Sequence, residues 1–553
     1  MKKTILTSAS ILALSIAAPA FAQSNTSTVT QTGTDQTAEV TQSGADDVST
    51  ITQSNADNSA EVNQAGGLGG TSTITQSGAE NTATVNQTDD GDDGFFVPNA
   101  VPPSSISTVD QSGDGNEATV NQNTQTQLFA NNSAINQSGS DNYASVTQFD
   151  DEQTSTVNQT SSGNSASVTQ GVLQMGGDTS FNNNSLINQG TGDFNIATVS
   201  QTGFNGESNV NQQGSGNDAS LDQSGNGNDS NIDQTGNNAL ATVIQSAANN
   251  VSDITQTDDA GGIASVTQSG SDNESDILQT SVNSVATVIQ SGNNNDSSLI
   301  QGRSAGNAFQ TNGQQALITQ SGNDNRTTAL QSGSSGDLNV LQSGNRNEAD
   351  VLQIGFDNSA GDNTGLAGIS QEGSDNDAFV TQSGQLSEAF IAQLGDFNTA
   401  TITQSVNNAP NPAGGPDPRV AIAFIAQVGD NNTSSINQFG GNSTNSARLQ
   451  TASNVQGGSD NTSTISQTNS FIAASASENA AEVNQFGNNN LSSVIQDGVL
   501  NDVLVDQSGS DNESLITQTG SGNTASVTQS SDFNLSTVTQ TGTGHTATVT
   551  QGM

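Results

Sequence analysis

The sequence has no cysteine, no tryptophan and a single tyrosine, and aromatic residues make up only 3% of it. With so few bulky rings, 553 residues cannot build the thick apolar cores of ordinary globular domains. The lack of cysteine excludes disulfides as a means of holding an exported chain together. Basic residues are nearly as scarce: 7 Lys and Arg stand against 54 Asp and Glu, a formal net charge of −47. Phosphate backbones and anionic lipid surfaces repel such a chain, so neither nucleic acid nor a membrane surface is an expected partner. A Ser/His/Asp arrangement would have to use the one histidine, His545, which stands where a turn Asn or Asp is usual. No enzyme, cofactor or metal centre is therefore expected.

Proline is rare and confined. Pro19 lies near the N-terminus, Pro98, Pro102 and Pro103 in one insertion, and Pro410, Pro412, Pro416 and Pro418 in another. None falls where a strand is expected, and there a missing N–H would break pairing. Residues 1–22 have a basic start at Lys2 and Lys3, a short apolar stretch and a small-residue site ending at Ala22, the pattern of a secretory signal peptide. Cleavage before Gln23 removes two lysines and no acid, which takes the net charge from −47 to −49. The apolar stretch is too short to span a bilayer and no longer one follows, so membrane insertion is not expected.

What the chain has in abundance is one phrase. A glutamine returns about every eleven residues from Gln31 to Gln551, some 42 times, with Gln331 and Gln450 as poor fits. Gly commonly follows two places later, Asn or Asp five, Ala or Ser seven, and Val, Ile or Leu nine, giving QxGxxNxAxVxQ. Such a period also suits a right-handed helical coiled coil. A single, usually β-branched, aliphatic residue per period and a recurrent Gly exclude that and favour strand and turn.

Strand alternation then places Asn523, Ala525, Val527 and Gln529 on one face, with Thr524, Ser526 and Thr528 on the other. The small inward residue alternates, as in Ala38, Ser49, Ala60 and Ser72, so the true coil is about 22 residues long, with one Ser strand facing one Ala strand. Past Ala316 this alternation weakens; it returns in Ser536, Val538 and Gln540 followed by Ala547, Val549 and Gln551. The expected fold is all-β: a thin, amyloid-like two-sheet β-solenoid of about 21 stacked coils. Amide ladders are expected along the stack, beginning with Gln31, Gln42, Gln53 and Gln64. The coil ending at Gln551 lacks a polar cap and reads as open to a further coil.

Residues 23–553 form one repeat region, with insertions near 88–106, 123–132, 171–183, 302–312 and 405–420 expected to leave the solenoid between strands. "TDDGDDG" at 88–94 and the "GSDN" turns at 139–142, 270–273 and 509–512 are the candidates for calcium. The calcium-binding nonapeptide is absent, however, and Asp and Asn are favoured in turns for their own backbone bonding. Phe194, Phe204, Phe356, Phe397 and Phe533 stand just before turn Asn or Asp residues, placed for local packing or for lateral contact.

The phrases "QSGADDVSTITQ", "QSGSDNYASVTQ" and "QTGSGNTASVTQ" resemble the curlin repeat family, the subunits of bacterial curli amyloid fibres. One departure is that Ser stands four residues before Gln, as in Ser27 to Gln31, where the curlin consensus has it six before. The resemblance implies a secreted subunit that passes an outer-membrane secretion apparatus and self-associates into extracellular fibres on a nucleator subunit. Such fibres serve biofilm matrix, surface adhesion and cell aggregation. The residues alone leave open a monomeric β-solenoid adhesin or a calcium-binding surface protein.

Overall fold

A strand such as TASVTQ, Thr524–Gln529, has one economical way to pack. Ala525, Val527 and Gln529 turn inward and are buried, while Thr524, Ser526 and Thr528 face out. The computed structural model describes residues 24–66, 69–89, 105–124, 130–171, 182–257, 261–302, 313–356, 358–360, 368–406, 421–440, 450–468 and 478–552. The expected signal peptide, all eight prolines and the greater part of the five expected insertions lie outside these residues. Among the described residues there are 43 strands and no helix. Many strands are six residues long, and others run on through the following corner to nine, as at Gln315–Asn323.

The chain divides into two units, 1–238 and 239–553. In the first, successive strands alternate between two parallel sheets. Thr26–Thr34 pairs with Val48–Ala56, and that strand with Thr71–Gln76; Thr37–Gln42 pairs with Ser59–Gly66, and that strand with Thr82–Asp89. Register places like on like, Gln31 beside Gln53 beside Gln76, and Ala38 beside Ala60 beside Ala83. The second unit repeats the plan. Val251–Gln256 pairs with Glu274–Gln279 in one sheet and Leu240–Gln245 with Ile263–Gln268 in the other; the last pairs are Glu513–Ser521 with Leu535–Thr543 and Thr524–Gln529 with Thr546–Gln551. The protein is thus an all-β solenoid of two parallel sheets.

The core between the sheets is narrow. Most strands contribute one large aliphatic residue; Ile51, Val62, Ile74 and Val85 are fully buried, each worth about 1.5–3 kcal/mol. Beside them run small residues, Ser49, Ser72 and Ser107 in one sheet and Ala60, Ala83 and Ala118 in the other. The weakened alternation past Ala316 has a simple origin. The Ser column continues as Thr327, Ala349, Ala378 and Ala400 before Ser434, and the Ala column takes Leu338. The side chains change while the register holds.

The two glutamines expected to fit poorly part company. Gln331 sits squarely in its column, hydrogen-bonded to Gln301 and Gln353. Gln450, by contrast, pairs with Asn479 at the start of its strand, and Gln456 is the residue in register with Gln427 and Gln485. The repeat is hidden there because Asn454 occupies the aliphatic position. It is fully buried and satisfied across the core, donating to Ser434 Oγ at 2.8 Å and accepting from Ser463 Oγ at 2.7 Å. Elsewhere an interruption falls within a strand. Ser359–Ala360 pairs with Asp337 and Leu338, and the same rung resumes at Ile369 opposite Val340. Gly368 N donates to Asn339 O at 2.9 Å, bridging the two halves.

Candidate functional site: amide columns along the stack

Among the described residues no helix is long and apolar enough to cross a membrane, and no group of three or more His, Asp or Glu side chains is placed to hold a metal. The repeated chemistry lies in the columns. Gln31 Nε2 donates to Gln53 Oε1 at 2.7 Å, Gln53 to Gln76 at 2.8 Å, Gln76 to Gln111 at 2.8 Å and Gln111 to Gln137 at 2.9 Å. The sequence separations are 22, 23, 35 and 26 residues. Extra residues between rungs therefore leave the ladder spacing unchanged. In the other sheet Gln42 donates to Gln64 at 2.8 Å and Gln64 to Gln87 at 2.7 Å.

Every one of these amides points the same way, Nε2 toward the later rung. From Gln42 and Gln53 onward the same amide also crosses to the facing sheet, as from Gln53 to Thr37 O at 2.9 Å and from Gln76 to Ser59 O at 3.0 Å. One side chain thus ties its own rung to the next and one sheet to the other. Each such bond contributes about 0.5–1.5 kcal/mol net, whereas an unpaired buried amide costs about 1–3 kcal/mol.

A second ladder stands at the corners. Asn273, Asn295, Asn325, Asn347, Asn376 and Asn398 follow one another, each donating its backbone N–H to the preceding Oδ1 at 3.0–3.1 Å from Asn295 onward. Their Nδ2 groups reach forward to the glycine carbonyl of the next rung, as from Asn376 to Gly395 O at 2.8 Å. Asn523 behaves likewise, with Nδ2 bonded to Asn501 Oδ1 at 3.1 Å and to Gly542 O at 3.2 Å. This column was legible as a turn preference for Asn. Its role as a ladder needs the fold, because each partner lies a full coil away.

The remaining singled-out residues fall in the same columns. Gln529 donates to Gln551 and Gln518 to Gln540, both at 2.8 Å. Ala525 stands beside Ala547 and Val527 beside Val549, while Ser536 and Val538 are buried in the neighbouring sheet. His545 takes the Asn position of its rung: its backbone N–H bonds Asn523 Oδ1 at 3.0 Å, and its Nε2 lies 3.0 Å from Thr541 O. The "GSDN" turns put Asp141, Asp272 and Asp511 in the left-handed region at φ 55–58°, a conformation that Asp and Asn tolerate better than most residues.

The Ser column carries a cost. Ser49, Ser72, Ser107, Ser155 and Ser185 are buried, and their hydroxyls find no partner. A few others lie near the facing glutamine, as Ser133 Oγ does, 3.4 Å from Gln122 Nε2.

Outside, the described arginines sit between acids of adjacent rungs. Arg326 NH1 is 2.7 Å from Glu348 Oε1, with its Nε 3.8 Å from Asp296 Oδ2. Arg346 makes a bidentate pair with Asp375 at 2.7 and 2.6 Å, and this hydrogen bonding holds the Asp375 carboxyl below its ordinary range. Where acids stack on acids the direction reverses. Partial burial, then Asp253, Glu274 and Asp296, push Asp276 up; burial, then Glu348, Asp375 and Asp350, do the same to Asp377.

No curated protein matches the chain. A family model described as the curlin associated repeat matches at residues 208–236, 344–384, 501–530 and 522–552. The first match covers the rungs of Ser208–Gln212, Asp218–Gln223 and Asp229–Gln234, and the others fall on rungs of the same plan in the second unit. By its repeats and by the columns they build, the chain carries curlin associated repeats in both units.

Proposed function

We propose that this chain is a secreted structural subunit that self-assembles into extracellular, curli-like amyloid fibres. The observation that carries the reading is the in-register column. Identical Gln, Asn, Ala and Val residues lie above one another in parallel rungs whose amides all point along the stack. A rung pairs through its backbone and its amides with whatever rung lies next to it. The chemistry is the same whether that neighbour belongs to the same chain or to another copy.

In this reading the fibres serve biofilm matrix, surface adhesion and cell aggregation. A nucleator subunit would supply the first templating rung, and an outer-membrane secretion apparatus would deliver the chain uncoiled. The strongly negative surface keeps fibres dispersed at low salt. A second reading, a monomeric solenoid adhesin, draws on the fact that the ladders already form within each unit.

Seeded growth separates the two. The chain from Gln23 onward, unfolded and diluted, is followed by circular dichroism with and without preformed seeds. Assembly requires that seeds shorten or abolish the lag before β signal appears, with pelletable material as product. A β signal of unchanged rate in material that stays monomeric overturns the reading.

A further inference from the structure

Most strands of this solenoid are polar on their outer face, as at Thr524, Ser526 and Thr528. Two neighbouring rungs are not. Ser387–Leu394 reads SEAFIAQL and Ala421–Val428 reads AIAFIAQV. Apart from Glu388 at the head of the first strand, the outward positions are apolar like the aliphatic core positions behind them, the pattern of a strand covered on two sides. Their inner residues, Ala389, Ile391, Ala423 and Ile425, are fully buried in the core. Their outer residues stack in register, Phe390 beside Phe424, Ala392 beside Ala426 and Leu394 beside Val428. Leu394, Phe424 and Val428 remain 46%, 37% and 50% exposed.

Charge is scarce there too. The strands Ala421–Val428 and Gln450–Gly457 carry no charged residue and Ser387–Leu394 carries one, Glu388, near its start, in a chain whose formal net charge is −47. We infer that this outer face is a contact surface for a second copy of the chain, packed sheet against sheet about a two-fold axis.

Two arguments select that occupant. Copies with this net charge repel one another over most of their surface, and a face of three rungs with a single acid, Glu388, is where two can approach. The face is also self-complementary: the Phe390 and Phe424 column and the Leu394 and Val428 column flank the shallower Ala392 and Ala426 column, so the same face turned over offers ridges to grooves. Eight residues by three rungs give roughly 350–400 Å² per copy, about half of what each partner of a stable complex supplies. Two free chains therefore associate weakly. The contact goes beyond axial growth, because it lies on the side of the stack and joins stacks laterally.

Because the sequence has no cysteine, a single introduced thiol reports the contact cleanly. Ala426→Cys and, as a control on a polar outer position, Ser526→Cys are made in the full chain and exposed to a short bismaleimide. Covalent dimer is expected to form at least tenfold faster from Ala426→Cys. Adding Phe390→Ser with Phe424→Ser should bring that rate down to the control, with circular dichroism unchanged. Equal rates for the two thiols overturn the inference. So does slow reaction of Cys at 426 with a monofunctional maleimide, which would mean that the chain covers this face itself.

Discussion

At the residue scale the amide columns and the serine column make opposite demands on a buried polar group. Gln137 accepts from Gln111, donates to Gln159 at 2.8 Å, and also reaches Glu117 O and Asn142 O. Gln137→Ala removes these bonds and opens a cavity, so a loss of about 3 kcal/mol is expected in denaturant unfolding. Hydrogen exchange should localise it to the rungs carrying Gln111 and Gln159. Ser72 is the contrary case, since its buried hydroxyl has no partner. Ser72→Ala is expected to be neutral or to stabilise by up to about 1 kcal/mol, as the natural Ala349, Ala378 and Ala400 in the same column imply. A clear loss of stability in that variant would show that the hydroxyl has a partner in solution.

The exposed acids set a pH dependence of the same local kind. Asp276 titrates above its ordinary range because of burial and the acids around it. A carboxyl with a raised folded pKa binds its proton more tightly in the native state, so its unfavourable contribution is present above that pKa and fades as pH falls through it. Asp375 has the opposite sign: Arg346 lowers its pKa, and that contribution is lost as pH falls through the lowered value. Asp276→Asn is therefore expected to raise the melting temperature at pH 7 and to leave it unchanged at a pH below the ordinary carboxylate range. Melting curves at the two pH values check this.

At the element scale the corners decide which rungs can stack. Gly429 sits at φ 112°, and a Cβ there would lie 2.2 Å from the carbonyl oxygen of Gly458 in the next rung. Gly522, at φ 65°, has nothing within 4 Å of that position. Gly522→Ala bears only the left-handed backbone penalty of about 1–2 kcal/mol. Gly429→Ala must also push two rungs apart, and about 3 kcal/mol or more is expected. Exchange protection of Ala421–Val428 and Gln450–Gly457 should collapse in that variant and hold in the other.

Much of this was legible in the sequence because one residue type marks one column. The glutamine period, the inward set of Asn523, Ala525, Val527 and Gln529, and the Ser and Ala strands all follow from alternation and coil length. The departures arise where contacts across the core replace the local pattern. Asn454 reads as a broken repeat, yet Ser434 and Ser463 satisfy it, and so the ladder position passes from Gln450 to Gln456. The interruption between Ala360 and Ile369 conceals its rung for another reason. Backbone pairing with Asp337–Asn345 holds both halves in place, whatever number of residues lies between them. The apolar outer face of Ala421–Val428 escaped notice because the period is defined by inward residues alone.

At the scale of the whole molecule, stability is a sum of rung-to-rung interfaces, since each coil contacts only its neighbours. A single coil fixes about 22 residues at roughly 1–2 kcal/mol each in backbone entropy and exposes both edges. Order therefore propagates from an existing rung far more readily than it begins, which is the physical basis of the templated growth proposed above. The central claim is that rungs stack in parallel register within each unit and, as proposed, between chains. Oriented fibre diffraction on seeded assemblies tests it most directly. The expected pattern has a meridional reflection at about 4.7–4.8 Å and an equatorial one near 10 Å, the first weakened when Gly429→Ala chains are assembled. Pelletable material that lacks the meridional reflection would contradict the stacked-rung account.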